Sequence, residues 1–271
     1  MAQYYTDFSE YDTGFFPQDD WSTVVAEDGD TYEIRLEEEA TGGQIVYHEQ
    51  PSFFNNEIIA WDVAGGSDIE IFTKSLGGNG DGIFIPVCRL QSNGEGYGLR
   101  LDDDDSRLRI AFEESDGTRD LIASETIEEV PLATEEHFRR FRVNGNELKG
   151  KAWGVNEDEP ADYQLIASDS RLSTGQTGVK SRSSSDDFGE LDIFTAGTEG
   201  DSAPTEPVSE EVISGVVTLD GVPQDAVDVY AIDRDSHTLI GTATTNQDGE
   251  YEIDPDGAEN IHVVAEYDDA V

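Results

Sequence analysis

A chain of 271 residues with 61 acidic and 16 basic side chains carries a formal charge of -45, which excludes nucleic acid as a partner because nearly every face repels phosphate. In dilute buffer the Debye length is about 10 Å or more and such a fold strains against itself, whereas in molar salt screening shrinks to about 3 Å, so high ionic strength is the expected habitat. Lysine occurs only at Lys74, Lys149, Lys151 and Lys180, and the more weakly hydrated arginine supplies the other cations.

Disorder is the competing reading of so acidic a chain, but 36% hydrophobic and 9% aromatic residues recur in strand-like clusters. The opening Met1 to Asp7 has neither a basic segment nor an apolar one, and no later run approaches 18 apolar residues. The expectation is therefore synthesis in the cytosol, with no export signal and no membrane partner. Cys88 stands alone, so the fold must rely on its cores.

In chain order, short alternating runs bounded by Gly, Asn and Asp predict strands and not helices. The clearest are Asp68 to Phe72, Gly82 to Val87, Tyr97 to Leu101, Leu108 to Phe112 and Val227 to Ile232. Gly77 to Gly82 reads as a loop and Asp102 to Asp105 as a charged hairpin tip. Between Phe138 and Trp153, Asn144-Gly145 predicts a two-residue turn, which sets Phe141 opposite Leu148, Arg142 opposite Glu147 and Arg140 opposite Lys149. Thr198 to Glu211 has the composition of a linker. The domains expected are 1–198, a linker over 199–210, and 211–271.

Three stretches give the first domain its likeness. They are Thr6-Asp7-Phe8-Ser9-Glu10-Tyr11-Asp12-Thr13-Gly14 with Pro17 and Trp21, then Arg142 to Trp153 followed by Glu159 to Tyr163, then Thr174 to Lys180 leading to Gly189 to Phe194. Together they resemble the concanavalin A-like jelly roll of laminin-G-like and lectin-like proteins. The second domain resembles the transthyretin-like or carboxypeptidase-regulatory-like sandwich, through Ser214-Gly215-Val216-Val217, Gly221-Val222-Pro223, Val227 to Tyr230 and Thr244 to Tyr251. Asp248-Gly249 there predicts a hairpin turn. The expected fold is thus all-β: a jelly-roll sandwich followed by a small Ig-like sandwich.

These resemblances imply particular sites. Concanavalin-like hydrolases carry three alternating carboxylates on one strand; here Glu190 and Asp192 supply two, and Phe194 and Thr195 occupy the third place, so no enzyme is expected. His48, His137, His237 and His262 lack zinc spacing. The jelly-roll likeness implies a calcium ion between first and last strands, held by Asp7, Asp192 and the Gly14 carbonyl; solvated surface acids are the alternative. Arg89, Tyr97 and Trp153 are the candidate glycan contacts, because they interrupt apolar strands with groups able to stack or donate. The basic group Arg139, Arg140, Arg142, Lys149 and Lys151 could face an acidic neighbour or glycan, with exposed strand charge as the alternative.

A lectin-like module, linker and transthyretin-like module without an export signal imply a virion. The expectation is an exterior structural protein of a halophilic archaeal virus, in tail fibre, capsid turret or decoration, assembled in the host cytoplasm. Its partners would be itself as a homo-oligomer, other virion proteins and host surface glycan. The alternatives are a glycoside hydrolase or carbohydrate-binding module of a halophile, and a host cell-surface adhesin.

Overall fold

The computed structural model describes residues 2–12, 14–16, 20–25, 31–36, 44–49, 56–77, 83–102, 107–116, 118–127, 136–182, 188–206, 213–234, 238–253 and 261–266, and all regular structure among them is β. The chain divides into two compact units, Met1–Val208 and Ser209–Val271.

The first unit opens with β1 (Ala2–Thr6), β2 (Gly14–Phe16), β3 (Trp21–Val25), β4 (Thr31–Leu36) and β5 (Gln44–Glu49). Its middle is β6 (Asn56–Gly66), β7 (Ile69–Gly77), β8 (Ile83–Leu90), β9 (Gly96–Asp102), β10 (Arg107–Glu113) and β11 (Arg119–Thr126). It ends with β12 (His137–Asn144), β13 (Glu147–Gly154), β14 (Leu165–Ser168), β15 (Gly175–Arg182) and β16 (Phe188–Thr198). One sheet runs β14-β13-β12-β7-β16-β5-β4-β2, with β1 also on β16, and the other runs β11-β10-β9-β8-β15-β6-β3. The chain crosses from sheet to sheet on either side of β3, of β6 and of β15, and again between β7 and β8 and between β11 and β12. The result nests late strands between early ones, and the last strand closes on the first through pairs such as Tyr4 with Ala196. That winding is the jelly-roll sandwich the sequence predicts.

Strand alternation decides which side chains meet between the sheets. Ile69 and Ile71 of β7, and Phe141 and Val143 of β12, point inward against Tyr97, Leu99, Ile110 and Phe112 of the second sheet, all of them buried. Gly150 lets the sheets close: a Cβ there would stand 2.3 Å from the Leu99 Cδ1. At one end the core is aromatic. Trp21 and Trp61 stack at 5.4 Å and 9°, with Phe194 edge-on to both. The Thr6 to Tyr11 opening serves this plug. Thr6 Oγ1 accepts the Phe8 amide, Asp7 Oδ1 accepts the amide and hydroxyl of Ser9, and the turn holds Phe8 at φ +61° with its ring fully buried.

The β12–β13 hairpin forms, but one residue later than the sequence predicts. Asn144 pairs with Glu147, so Gly145 and Asn146 are the turn, and Gly145 takes φ +56° at the first central position, where the two-residue turn that needs only one left-handed residue wants glycine. A one-residue shift of the turn moves every partner by two. Phe141 therefore opposes Gly150, Arg142 opposes Lys149 and Arg140 opposes Lys151. Face is preserved, but like charges now oppose one another and need acids from elsewhere. β9 and β10 flank 103–106 as a hairpin, with Asp102 turned between Arg100 and Arg109; Asp103 to Asp105 and the loop over 78–82 lie outside the described residues.

The second unit contains β17 (Ile213–Val216), β18 (Thr218–Leu219), β19 (Val222–Pro223), β20 (Asp228–Asp233), β21 (Leu239–Thr244), β22 (Glu250–Ile253) and β23 (Ile261–Glu266). They form the sheets β21-β20-β23, β17-β22 and β18-β19 around a small core of Val229, Ala231 and Ile253. Asp248-Gly249 makes a turn, with Gly249 at φ +75° and Asn246 Oδ1 accepting the amides of Asp248 and Glu250. It is a corner and not the predicted hairpin: β21 pairs with β20, and β22 pairs with β17.

Candidate functional site

The outward face of the first sheet carries the densest chemistry among the described residues. β7, β12 and β13 alternate in register, so Glu70 and Phe72, Phe138, Arg140 and Arg142, and Lys149, Lys151 and Trp153 share that face. Glu70, only 2% exposed, is its hub. Its carboxylate accepts from Arg140 Nη1 at 2.6 Å, Arg142 Nη1 at 3.1 Å, the Tyr163 hydroxyl at 2.9 Å and the Ala203 amide at 3.2 Å. Arg140 grips Glu159 with two further nitrogens, at 2.8 and 3.1 Å, and lies over the Phe72 ring at 5.1 Å. Lys151 pairs with the same Glu159 at 2.7 Å. Charge answers charge. Burial raises the Glu159 carboxyl, but Arg140 and Lys151 outweigh it and hold it below its ordinary range; burial and the neighbouring Glu70 charge push the Tyr163 phenol up.

This face is covered by the chain that follows β16. Residues 199–206 run back across it: Arg142 Nη2 donates to Gly200 O, Arg140 Nη1 to Ala203 O, Thr195 Oγ1 to Pro204 O, and Gln3 Nε2 to Ser202 O. Ala203 packs against Phe72 and Trp153. Gly197 permits the approach, since a Cβ there would meet Asp201 O at 2.5 Å and Ser202 C at 2.6 Å. The first part of the stretch read as linker is thus a strap bonded to the first unit.

The residues singled out in the sequence do not converge. Arg89, 1% exposed at φ +54°, gives Nε and Nη2 to Ser67 O and Nη1 to Leu172 O. Tyr97 is fully buried, donating to Asp169 at 2.8 Å and accepting the Leu172 amide. The Arg89 guanidinium is engaged by backbone carbonyls, and the Tyr97 hydroxyl by the Asp169 carboxylate and the Leu172 amide, so neither polar end is turned outward to a sugar. Trp153 is on the outer face, as a stacking platform requires, but the strap and Phe138 reduce it to 5% exposed. The basic group is likewise engaged: Arg140, Arg142 and Lys151 within the network, Lys149 with Glu147 at 2.5 Å, and Arg139 inside the sandwich. The reading of an open basic face is therefore corrected.

A calcium cage is not built by the residues proposed for one. A hard cation asks for six to eight oxygens, yet Asp7 spends its carboxylate on Ser9, Asp192 pairs with the Lys74 ammonium, and Gly14 lies in a ladder opposite Ile34. Among the described residues no three His, Cys, Asp or Glu side chains gather to hold a metal. Sequence reasoning rejected Asp68 and Glu70 as a catalytic pair, and gave Glu159, Tyr163 and Ala203 no site role; the available signal was a carboxylate interrupting Ile69-Glu70-Ile71-Phe72 on the face shared with Arg140.

Asp169 is the acid whose titration reports on this unit most directly. Burial acts to raise it, but Arg171, donating through side chain and backbone, and the Tyr97 hydroxyl bring it down to about 2. A depressed folded value means its contribution is complete above the ordinary value of 3.8 and is lost as pH falls toward 2. Carboxyl NMR titration should place Asp169 near 2 in the wild type and return it toward 3.8 in Arg171→Gln; an unchanged midpoint would contradict the assignment.

No protein-family model matches the chain, and no curated protein matches it. Solved structures with a similar strand arrangement include the carbohydrate-binding module CBM66 from Bacillus subtilis, at 17% identity over 64% of this chain and 91% of that one, with a TM-score of 0.45. The apo Crh5 transglycosylase is similar at 8% identity over 73% and 85%, with a TM-score of 0.46. The exoplasmic/lumenal domain of VIP36 in its Ca2+/Man3GlcNAc-bound form is similar at 13% identity over 77% and 88%, with a TM-score of 0.39. All three scores lie below 0.5, so the fold reading rests on the strand order itself: a two-sheet, all-β jelly-roll unit followed by a small all-β unit.

Proposed function

We propose that this chain is a non-catalytic building and contact module for the exterior of an assembly that lives in high salt. The observation that supports it is where the cations have gone. Lysine and arginine are almost never fully buried in ordinary proteins, yet Arg89, Arg139, Arg140, Lys151 and Lys180 are all buried here. Others, such as Lys74 and Arg171, close ion pairs within the unit. The exterior is left overwhelmingly carboxylate, which suits a surface hydrated through molar salt cations. A jelly roll joined to a transthyretin-like module then serves connection, in a homo-oligomeric fibre, turret or decoration on a halophilic archaeal virus particle, contacting host surface glycan.

Two measurements test this. In molar potassium chloride, circular dichroism should show a β fold that is lost on dialysis into dilute buffer; a fold indifferent to salt would remove the argument from charge. Antibody against the chain should label the outside of native particles. Hydrolysis of a β-glucan in high salt, abolished by Glu190→Gln, would replace the proposal with an enzyme.

A further inference from the structure

The three-stranded sheet of the second unit has two edges that are finished differently. At one edge the ladder between β20 and β21 shifts register between Ala231 and Ile232, passing over Ile240, and a bulge of that kind is a common way to blunt an edge. At the other, β23 runs beside β20 for six residues without a shift and has no second neighbour among the described residues. From Ile261 to Ala265 that strand contains no carboxylate, lysine or proline, in a chain where 61 of 271 residues are acidic. Its side chains are open on both faces. Val263 and Ala265 share a face with their register partners Ala231 and Val229, which are fully buried, yet Val263 is 36% exposed and Ala265 is exposed too. Val264, on the opposite face beside Tyr230, is 42% exposed.

An edge of this kind presents a row of backbone donors and acceptors to another strand. We infer that its occupant is β23 of a second copy, paired antiparallel across a two-fold axis, so that two three-stranded sheets become one of six. This names the contact in the homo-oligomer proposed above and rests on that part of the proposal alone. Electrostatics selects the copy's own strand: two such acidic chains repel each other, and here is a stretch where their backbones can meet with no carboxylate between them. Geometry selects the register. Directly opposed side chains in a ladder share a face, so a two-fold axis normal to the sheet must pass through a residue position. Centred on Val264, the pairing sets Val264 against itself, Val263 against Ala265, and His262 against position 266, a glutamate in the sequence. Each acid then meets an imidazole and not another acid. On the core face an apolar row crosses the junction unbroken, from Val229 and Ala265 to Val263 and Ala231 of the second copy.

Sedimentation equilibrium of the full chain in molar potassium chloride should give twice the chain mass. Val264→Asp, which sets two carboxylates directly across the axis, should give the chain mass with an unchanged circular dichroism spectrum. A wild-type monomer overturns the pairing and the homo-oligomer together; an oligomer that Val264→Asp leaves intact overturns the pairing and leaves the homo-oligomer standing. Oxidation reads the register. Val264→Cys should yield a covalent dimer that reductant dissolves, whereas Leu239→Cys, 59% exposed on the bulged edge, should yield none, and the native Cys88 is fully buried and adds no background. Cross-linking that is equal in the two variants, or absent from Val264→Cys, overturns the pairing about Val264. If Val264→Asp does not fold, the cysteine variants decide.

Discussion

Glu70→Ala should lower the stability of the first unit by about 3–5 kcal/mol, because it leaves two arginines facing each other's charge on a covered face. Arg140 and Arg142 lose their common acceptor, and Tyr163 and the Ala203 amide lose theirs. A loss of that size is a large fraction of the 5 to 15 kcal/mol typical of a domain. It should persist in molar salt, since buried pairs are screened far less than exposed ones. Urea unfolding in concentrated potassium chloride measures it, and limited proteolysis reads the accompanying release of the strap, with new cleavage within 199–206. Glu70→Gln, which keeps one acceptor, should fall between. A Glu70→Ala variant as stable and as protease-resistant as the wild type would mean that the network contributes nothing.

The second large effect concerns the other sheet. Lys180 of β15 and Glu113 at the end of β10 pair with each other on the face turned away from the first sheet, and each side chain is only 2% exposed. Gly98 makes the room, since a Cβ there would lie 3.1 Å from Glu113 Oε1 and 3.0 Å from Ile85 Cγ2. Removing one partner strands the other. Lys180→Met should cost about 3–5 kcal/mol, because it leaves the Glu113 carboxylate buried without its partner. Replacing both, Lys180→Met with Glu113→Leu, should return the stability to the wild-type value or above, because two packed apolar side chains carry no desolvation cost. A double variant as poor as the sum of the singles would show the pair to be uncoupled.

Why some of this was readable and some not comes down to range. Alternation in Asp68 to Phe72, Leu108 to Phe112 and the hairpin ahead of Trp153 is a local property, and it delivered the all-β class and the inward faces. The turn lay one residue off because Asn144-Gly145 and Gly145-Asn146 both tolerate a left-handed residue, and the choice was made by tertiary pairing with β7, with Asp68 accepting the Gly145 amide. Glu70 could not be recognised as a hub, because its partners Tyr163 and Ala203 come from 93 and 133 residues away. Arg89 and Tyr97 drew attention as polar groups in apolar strands. That same contrast arises when a long side chain caps a backbone carbonyl or amide inside the sandwich, as both do. The burial of Lys180 and Arg139 runs against the rule that places such residues outside, so no pattern in sequence announces it.

The strap also has a mechanical meaning. Chain leaving the first unit passes through 199–206, so tension applied beyond Val208 is met by Thr195 holding Pro204, then by the Arg140 and Glu70 clasp on Ala203, then by Gln3 on Ser202 and Arg142 on Gly200. Beyond these contacts lies the β1 and β16 ladder itself. Serial rupture of such short contacts dissipates a pull in small steps while the sandwich behind them stays intact.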